Sequence, residues 1–135
     1  MNLFLYVQIT NFPEDVKFYN PIVSNVKQQN LDIVTYDLDN HSDSLIIGFA
    51  TKLLNDSAKT VIFIETTPDT SVVKLLPLLT NILDNPDRIE IILKGDNSKL
   101  EKMLSILPQL KISENTYEIE PFERIIAKIF QKMSI

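Results

Sequence analysis

The sequence predicts an α/β protein built as a three-layer α/β/α sandwich around a five-stranded parallel sheet. Two hydrophobic periodicities alternate along the 135 residues. Short runs rich in Val, Ile, Phe and Tyr predict strands, and the segments between them carry apolar residues three and four positions apart, which predicts helices. Strands that alternate with helices indicate a parallel sheet covered on both faces.

Five runs have the composition of strands: 3–9, 32–38, 60–65, 88–94 and 116–120. The runs 3–9 and 60–65 are almost wholly apolar, which is typical of central strands, whereas 32–38 and 116–120 carry polar residues typical of edges. The order 2-1-3-4-5 satisfies these assignments with right-handed crossovers, as in flavodoxin-like sheets. The whole chain, 1–135, is then one domain.

The helix boundaries follow from caps and prolines. Asn20 is predicted to cap a helix that starts at Pro21 and ends near Asn30, and residues 13–19 form a separate turn. A second helix covers 44–55. Ser98 and Glu101 have the spacing of a capping box, which predicts a helix over 98–107 that Pro108 ends. The last helix starts at Pro121 and carries one apolar stripe from Phe122 to Met133.

The segment 68–84 is predicted to be a helix with more apolar surface than a sheet can cover. Its apolar residues spread over about 220° of a helical wheel, where a stripe of roughly 100° suffices. Pro77 should kink this helix. Either the monomer buries the surplus, or a partner covers it. Val73, Leu78 and Ile82 are therefore candidate interface residues, and a homodimer is the simplest partner.

Composition restricts the classes of function. The formal net charge of −5 and the scattered basic residues argue against nucleic acid and anionic membranes as partners. Cysteine is absent, which excludes disulfides and thiolate chemistry. Two glycines are too few for the usual phosphate-binding loops, so no cofactor is expected. The sequence shows no signal peptide and no apolar run of membrane-spanning length, which predicts a cytoplasmic protein.

A ligand crevice is expected beyond the carboxyl ends of the first and third strands, where the strand order reverses. The polar residues predicted to face it are Thr10, Asn11, Glu65, Thr66, Thr67 and Ser71. Hydroxyl and backbone N–H groups there could hold an anion. The alternative is purely structural: Thr67, Pro68 and Asp69 have the composition of an N-cap and first helical turn, and this interpretation is preferred.

Two further clusters follow the second and fourth strands. Asp37, Asp39 and Asp43 surround the single histidine, His41. They could offer oxygens to a cation, but the calcium-loop pattern is absent, so a solvated turn and a cap for helix 44–55 are preferred and no metal is assigned. In the turn after the fourth strand, Gly95 is expected to adopt a positive φ with Asp96 or Asn97 assisting the next helix. A ligand-contacting Lys94 is the weaker alternative.

The order of elements resembles that of several families, and each fails at its functional residues. Receiver domains of response regulators carry paired acids after the first strand, flavodoxins a glycine- and hydroxyl-rich loop, and mannose-type phosphotransferase carriers a histidine. This chain has Thr10 and Asn11 there. TIR domains that cleave NAD use a glutamate in the helix after the third strand, and 68–84 has none. The chain is assigned to none of these families.

The sequence favours a non-catalytic α/β interaction or regulatory module that associates with itself through 68–84. The alternative is a domain that binds a small ligand or nucleotide in the crevice. An enzyme would have to rely on Glu65, His41 or Lys94, and no reaction follows from them.

Overall fold

The computed structural model describes residues 1–30, 32–106, 111–113 and 122–133. Its strands are β1 (Asn2–Ile9), β2 (Ile33–Asp39), β3 (Lys59–Thr66), β4 (Ile89–Lys94) and β5 (Lys111–Ser113). Its α-helices are α1 (Pro21–Gln29), α2 (Ser44–Asp56), α3 (Leu76–Asp84), α4 (Ser98–Leu104) and α5 (Phe122–Met133).

The strands form one parallel sheet. Its long strands lie in the order β2-β1-β3-β4, and the three-residue β5 pairs with the outer side of β4. The α/β class with a parallel sheet and helices on both faces is therefore confirmed. The strand predicted at 116–120 lies outside the described residues, and the strand that pairs with β4 is found instead at Lys111–Ser113.

The sheet separates two hydrophobic cores because successive side chains of a strand point to opposite faces. One face packs against α2, α3 and α4 and is called the α2–α4 core; its members include Leu5, Leu54, Ile64, Leu78 and Leu100. The other packs against α1 and α5 and is called the α1–α5 core; its members include Phe4, Val26, Phe63 and Ile129. Burial on both faces explains why β1 and β3 are nearly continuous apolar runs.

Side-chain caps begin three of the helices. The Asn20 side chain accepts a hydrogen bond from the Ile22 N–H, and Asp43 accepts from Leu45 and Ile46, as predicted for α1 and α2. Residues Pro13–Asp15 form the separate turn expected before α1. The cap of α4 is Asn97, not Ser98, because the Asn97 side chain accepts from the Leu100 N–H at 3.2 Å.

The predicted helix 68–84 is wrong in its first half. A 3₁₀ turn covers Val73–Leu75 and α3 begins only at Leu76. Asp69 has a φ of 58°, a left-handed conformation that a right-handed helix cannot include. Pro77 consequently lies in the first turn of α3, where its missing N–H costs nothing and no kink is needed. Within the described residues, no helix combines the length and apolarity needed to cross a bilayer.

The two glycines should respond oppositely to alanine. Gly95 has a φ of 94°, as predicted, and a Cβ there would lie 2.1 Å from the Thr66 carbonyl oxygen. Gly95→Ala should therefore lower the free energy of unfolding by about 2 kcal/mol or more. Gly48, in α2, has open space around its missing Cβ. Gly48→Ala should raise stability by about 0.5–1 kcal/mol. Urea unfolding measures both, and a stabilising Gly95→Ala would contradict the turn geometry.

Candidate functional site

The carboxyl ends of the parallel strands meet at one edge of the sheet. Ile9 at the end of β1 is in register with Thr66 at the end of β3, so the loops after these strands are neighbours. The predicted ligand-binding residues do lie at this edge. Their side chains nevertheless divide into three separate groups: one at Thr10, one in the loop after β3 and one at Glu65.

Thr10 is bound into the loop after β2. Its backbone N–H donates to Asn40 Oδ1 at 3.0 Å, and Asn40 Nδ2 donates back to the Thr10 carbonyl at 2.9 Å. The Thr10 hydroxyl donates to the Phe12 carbonyl at 2.9 Å. His41 Nε2 lies 3.0 Å from the same Thr10 carbonyl and 3.1 Å from the hydroxyl.

This arrangement does not activate a nucleophile. A carbonyl oxygen only accepts, so its contact with His41 Nε2 requires that nitrogen to carry the proton and to donate. A protonated Nε2 cannot take the Thr10 proton, which is already directed at Phe12. The buried Asn40 and the half-buried His41 therefore fasten two loops together.

The loop after β3 is held by its own hydroxyl groups. The Thr67 N–H donates to the Ile9 carbonyl at 3.1 Å. The Thr67 and Thr70 hydroxyls are 2.5 Å apart, and the Thr70 hydroxyl donates to Asn11 Oδ1 at 2.6 Å. The preferred interpretation of Thr67 as a helix cap is therefore wrong: its hydroxyl contacts Thr70 and the carbonyl of Ile9, and α3 begins only at Leu76. Ser71 is exposed, and its oxygen accepts from the Val73 N–H at 3.3 Å.

Asn97 joins this loop to the start of α4. Its side chain is fully buried, and Nδ2 donates to the Thr66 hydroxyl at 3.1 Å and to the Thr70 carbonyl at 2.9 Å. Its Oδ1 accepts from the Leu100 N–H. The sequence indicates a helix-capping asparagine here, but the two contacts to the loop after β3 could not be foreseen, because they depend on that loop's conformation.

Glu65 belongs to the opposite face of the sheet. Its carboxylate accepts a hydrogen bond from the hydroxyl of Tyr6, a residue of the α1–α5 core that is only 2% exposed. The Tyr6 ring stacks on Phe63 with ring centroids 5.4 Å apart. Burial raises the pKa of the Tyr6 phenol well above its ordinary value, and the hydrogen bond and charge of Glu65 raise it further. Tyr6 is thus a neutral donor that orients a carboxylate.

Glu65 and Glu90 differ in their partners. Glu90 forms ion pairs with Lys59 at 3.4 Å and with Lys132 at 3.7 Å. Among the described residues, no basic side chain forms an ion pair with Glu65, although Lys94 is its register neighbour on β4. The half-buried Glu65 carboxylate therefore has a donor that orients it, and no cation of the described residues forms an ion pair with it.

The segment between β1 and α1 lies next to Glu65. The Gln8 side chain donates to the Lys17 carbonyl at 2.9 Å and accepts from the Lys17 N–H at 3.0 Å. Gln8 is also in register with Glu65. Directly after Lys17, the side chains of Phe18 and Tyr19 are 93% and 74% exposed. Sequence reasoning did not single out these two rings, although their exposure is the most unusual feature of the segment.

The acidic residues at the end of β2 and just after it stabilise the turn that precedes α2. Asp39 Oδ1 accepts from the His41 N–H at 2.7 Å, and Asp43 caps α2. In the part of the chain that the structure describes, no group of three or more His, Cys, Asp or Glu residues is arranged to hold a metal ion.

The candidate interface residues are not all accessible. Leu78 and Ile82 are 1% and 0% exposed inside the α2–α4 core, so the monomer itself covers the surplus apolar surface that they were predicted to present. Val73 is 66% exposed, and Leu76 is also exposed. Any contact through 68–84 is therefore limited to the start of that segment.

A second apolar surface lies along β2 and α2. The rings of Tyr36 and Phe49 are in contact, with centroids 5.3 Å apart. Val34 lies two residues before Tyr36 on the same face of β2, and Ile46 lies one turn before Phe49 on α2. Val34, Ile46 and Phe49 are all exposed. These four residues are called the β2–α2 patch.

Comparison of the chain with protein-family models, with curated proteins and with solved structures finds no match.

Tyr6→Phe should change how stability depends on pH. The phenol of the unfolded chain ionises near pH 10, whereas the raised pKa keeps folded Tyr6 neutral there. Because only the unfolded state then releases this proton, the contribution of Tyr6 is complete below about pH 10 and falls above it by up to about 1.4 kcal/mol per pH unit. Urea unfolding between about pH 9 and 11 should therefore show a shallower loss for Tyr6→Phe. Equal slopes in the two proteins would contradict the buried hydrogen bond.

Proposed function

We propose that the chain is a non-catalytic α/β interaction module that forms a homodimer. The β2–α2 patch carries this proposal, because it is apolar, contiguous and beside the outermost strand of the sheet. The hydroxyls of Thr10, Thr67 and Thr70 support it indirectly, since each already forms a hydrogen bond within the protein. The fold proposed with it is the complete flavodoxin-like sandwich of order 2-1-3-4-5, for which the pairing of β5 with β4 is the support.

A second copy fits the open side of β2. Within the described residues, β2 pairs only with β1, so its other side leaves backbone donors and acceptors free, and such an edge favours pairing with another strand. β2 contains neither proline nor lysine, two residues that commonly protect an edge. Antiparallel pairing of two β2 strands about a two-fold axis would make one continuous sheet, with the β2–α2 patches of both copies meeting on one side.

The charges of β2 restrict the register of this pairing, because a two-fold axis at Asp37 or Leu38 would place one aspartate opposite another. A chain with a net charge of −5 repels its copy, so like charges must not face each other. A two-fold axis at Tyr36 places Thr35 opposite Asp37 of the partner subunit and Val34 opposite Leu38 of the partner subunit. No aspartate then faces another. The patch itself contains no charged residue, which leaves the contact apolar on that face.

Two aspartate substitutions at exposed positions should locate the interface. Wild type should have a solution mass near twice 15.5 kDa by light scattering. Phe49→Asp should be monomeric, because it places a charge in the β2–α2 patch. Val73→Asp, at the start of the segment 68–84, is the matched control and should stay dimeric. A dimeric Phe49→Asp with a monomeric Val73→Asp would assign the interface to the segment 68–84. A monomeric wild type would exclude the homodimer.

The register predicts a charge-dependent pair of variants at Thr35. Thr35→Asp should weaken the dimer because the new carboxylate faces Asp37 of the partner subunit, and Thr35→Lys should tighten it. Each change in dissociation constant should be about threefold to tenfold at low salt and smaller at high salt. Sedimentation over a range of concentrations measures both. Equal effects of the two substitutions would exclude this register.

A small-ligand site at the carboxyl ends of β1 and β3 is the second candidate function. One observation favours it: the carboxylate of Glu65 is oriented by Tyr6, and no basic side chain in the described ranges forms an ion pair with it. Thermal unfolding with nucleotides, flavins, sugar phosphates and amines tests it, because a ligand that binds only the native state raises the melting temperature. No shift with any of these compounds would count against this candidate.

A further inference from the structure

Glu65 combines three properties that are seldom found together on a central strand. Its carboxylate is half-buried at the end of β3, the hydroxyl of the buried Tyr6 fixes its orientation, and no described basic side chain neutralises it. Removing a carboxylate from water without a counter-charge costs stability. The Glu90 carboxylate, also on the sheet, shows the usual solution, with two lysines within 4 Å.

The backbone segment that carries two exposed aromatic residues is attached to the strand next to Glu65. Gln8 and Glu65 are in register on neighbouring strands, and the Gln8 side chain holds the backbone of Lys17 through two hydrogen bonds. Phe18 and Tyr19 follow at once, and Asn20 then anchors the segment as the cap of α1. The rings therefore extend from a segment that is fixed at both ends beside the carboxylate.

We propose that Glu65, oriented by Tyr6, and the rings of Phe18 and Tyr19 bind an organic cation, namely a guanidinium or an alkylammonium group. The carboxylate supplies a charge-assisted hydrogen bond, and the aromatic faces attract a positive charge through their quadrupoles. Exposed rings lose unfavourable contact with water when the flat guanidinium or the alkyl part of an amine covers them. The site deepens the second candidate function by naming its ligand class.

The same residues exclude other ligands. A hard metal ion requires several converging oxygens, and the described residues contain no group of three or more His, Cys, Asp or Glu that could hold one. An anion would be repelled by the charge of Glu65, and the hydroxyls of Thr67 and Thr70 belong to a separate group in which they bond to each other. A neutral aromatic compound could stack on the rings but would leave the carboxylate without a counter-charge.

The cation could be a free small molecule or the side chain of an arginine or lysine in a polypeptide. Both present the same chemistry, so two probes separate them. The first is N-acetylarginine amide, whose only charge is the guanidinium. The second is the capped peptide Gly-Gly-Arg-Gly-Gly, which presents the same group on a chain. N-acetylcitrulline amide, the neutral isostere of the first probe, is the control ligand.

Binding is measured by two-dimensional amide NMR of ¹⁵N-labelled protein. The arginine probe should shift the backbone signals of Gln8, Glu65, Phe18 and Tyr19 saturably, with a dissociation constant on the order of 1 mM, and the citrulline probe should bind at least about tenfold more weakly. Equal or tighter binding of the peptide would identify a polypeptide side chain as the source. Exclusion of the peptide would identify a free cation.

Matched variants test which side chains bind the arginine probe. Glu65→Gln should weaken the arginine probe about tenfold or more, whereas Glu90→Gln, which changes the lysine-paired carboxylate, should leave the affinity unchanged. Lys94→Gln should tighten binding, because it removes the cation in register with Glu65. Phe18→Ala should weaken binding about threefold. Because the Phe18 side chain is almost fully exposed, this substitution should not disturb folding.

Three outcomes would overturn the cation site: no saturable shift with either arginine probe, equal binding of the citrulline probe, or unchanged affinity in both Glu65→Gln and Phe18→Ala. If arginine fails while a nucleotide or flavin raises the melting temperature, the cation site is excluded and the second candidate function stands. If neither the arginine probes nor a nucleotide or flavin binds, both the cation site and the second candidate function are excluded. Dimerisation is measured separately and depends on other residues.

Discussion

Parallel pairing of β1 with β3 is the constraint on which the rest of the molecule depends. The two strands pair along their length, and both are buried on both faces, so neither can carry a polar side chain except near its end. Polar side chains of these two strands therefore lie mainly near the strand ends, and the carboxyl ends carry Gln8 and Glu65. Backbone groups of the loops that follow are satisfied by side chains from the neighbouring loops: Asn40 bonds to the N–H and carbonyl of Thr10, and Asn97 bonds to the carbonyl of Thr70.

The sequence predicted most of the fold because its strongest signals are local. Strand composition, the caps at Asn20 and Asp43 and the positive φ at Gly95 each depend on a few adjacent residues, and the structure confirms them. The start of α3 could not be predicted in this way. Thr67, Pro68 and Asp69 have the composition of a helix start, but the Thr67 hydroxyl contacts Ile9 and Thr70 instead. Tertiary hydrogen bonds here override a local preference.

The site was only partly predictable for a related reason. The sequence placed the predicted residues at the carboxyl edge of the sheet, where they lie in the structure. Adjacent residues of a strand point to opposite faces, so the side chains of Glu65 and Thr66 do not share one pocket. The surplus apolar surface of 68–84 was misjudged because the width of an apolar arc does not reveal how deeply a helix is packed. Leu78 and Ile82 are core residues, whereas the exposed apolar groups that adjoin each other lie on β2 and α2.

Glu90 forms ion pairs with two lysines that come from different parts of the chain. Lys59 begins β3 and Lys132 lies in the last turn of α5, so one carboxylate on β4 ties the carboxyl-terminal helix to the sheet by charge. Dissolved ions screen such pairs far more than they affect buried apolar contacts. The attachment of α5 should therefore depend on ionic strength more than the apolar packing of the central sheet does. Local opening of the end of the chain should track the salt of its surroundings while the central sheet remains closed.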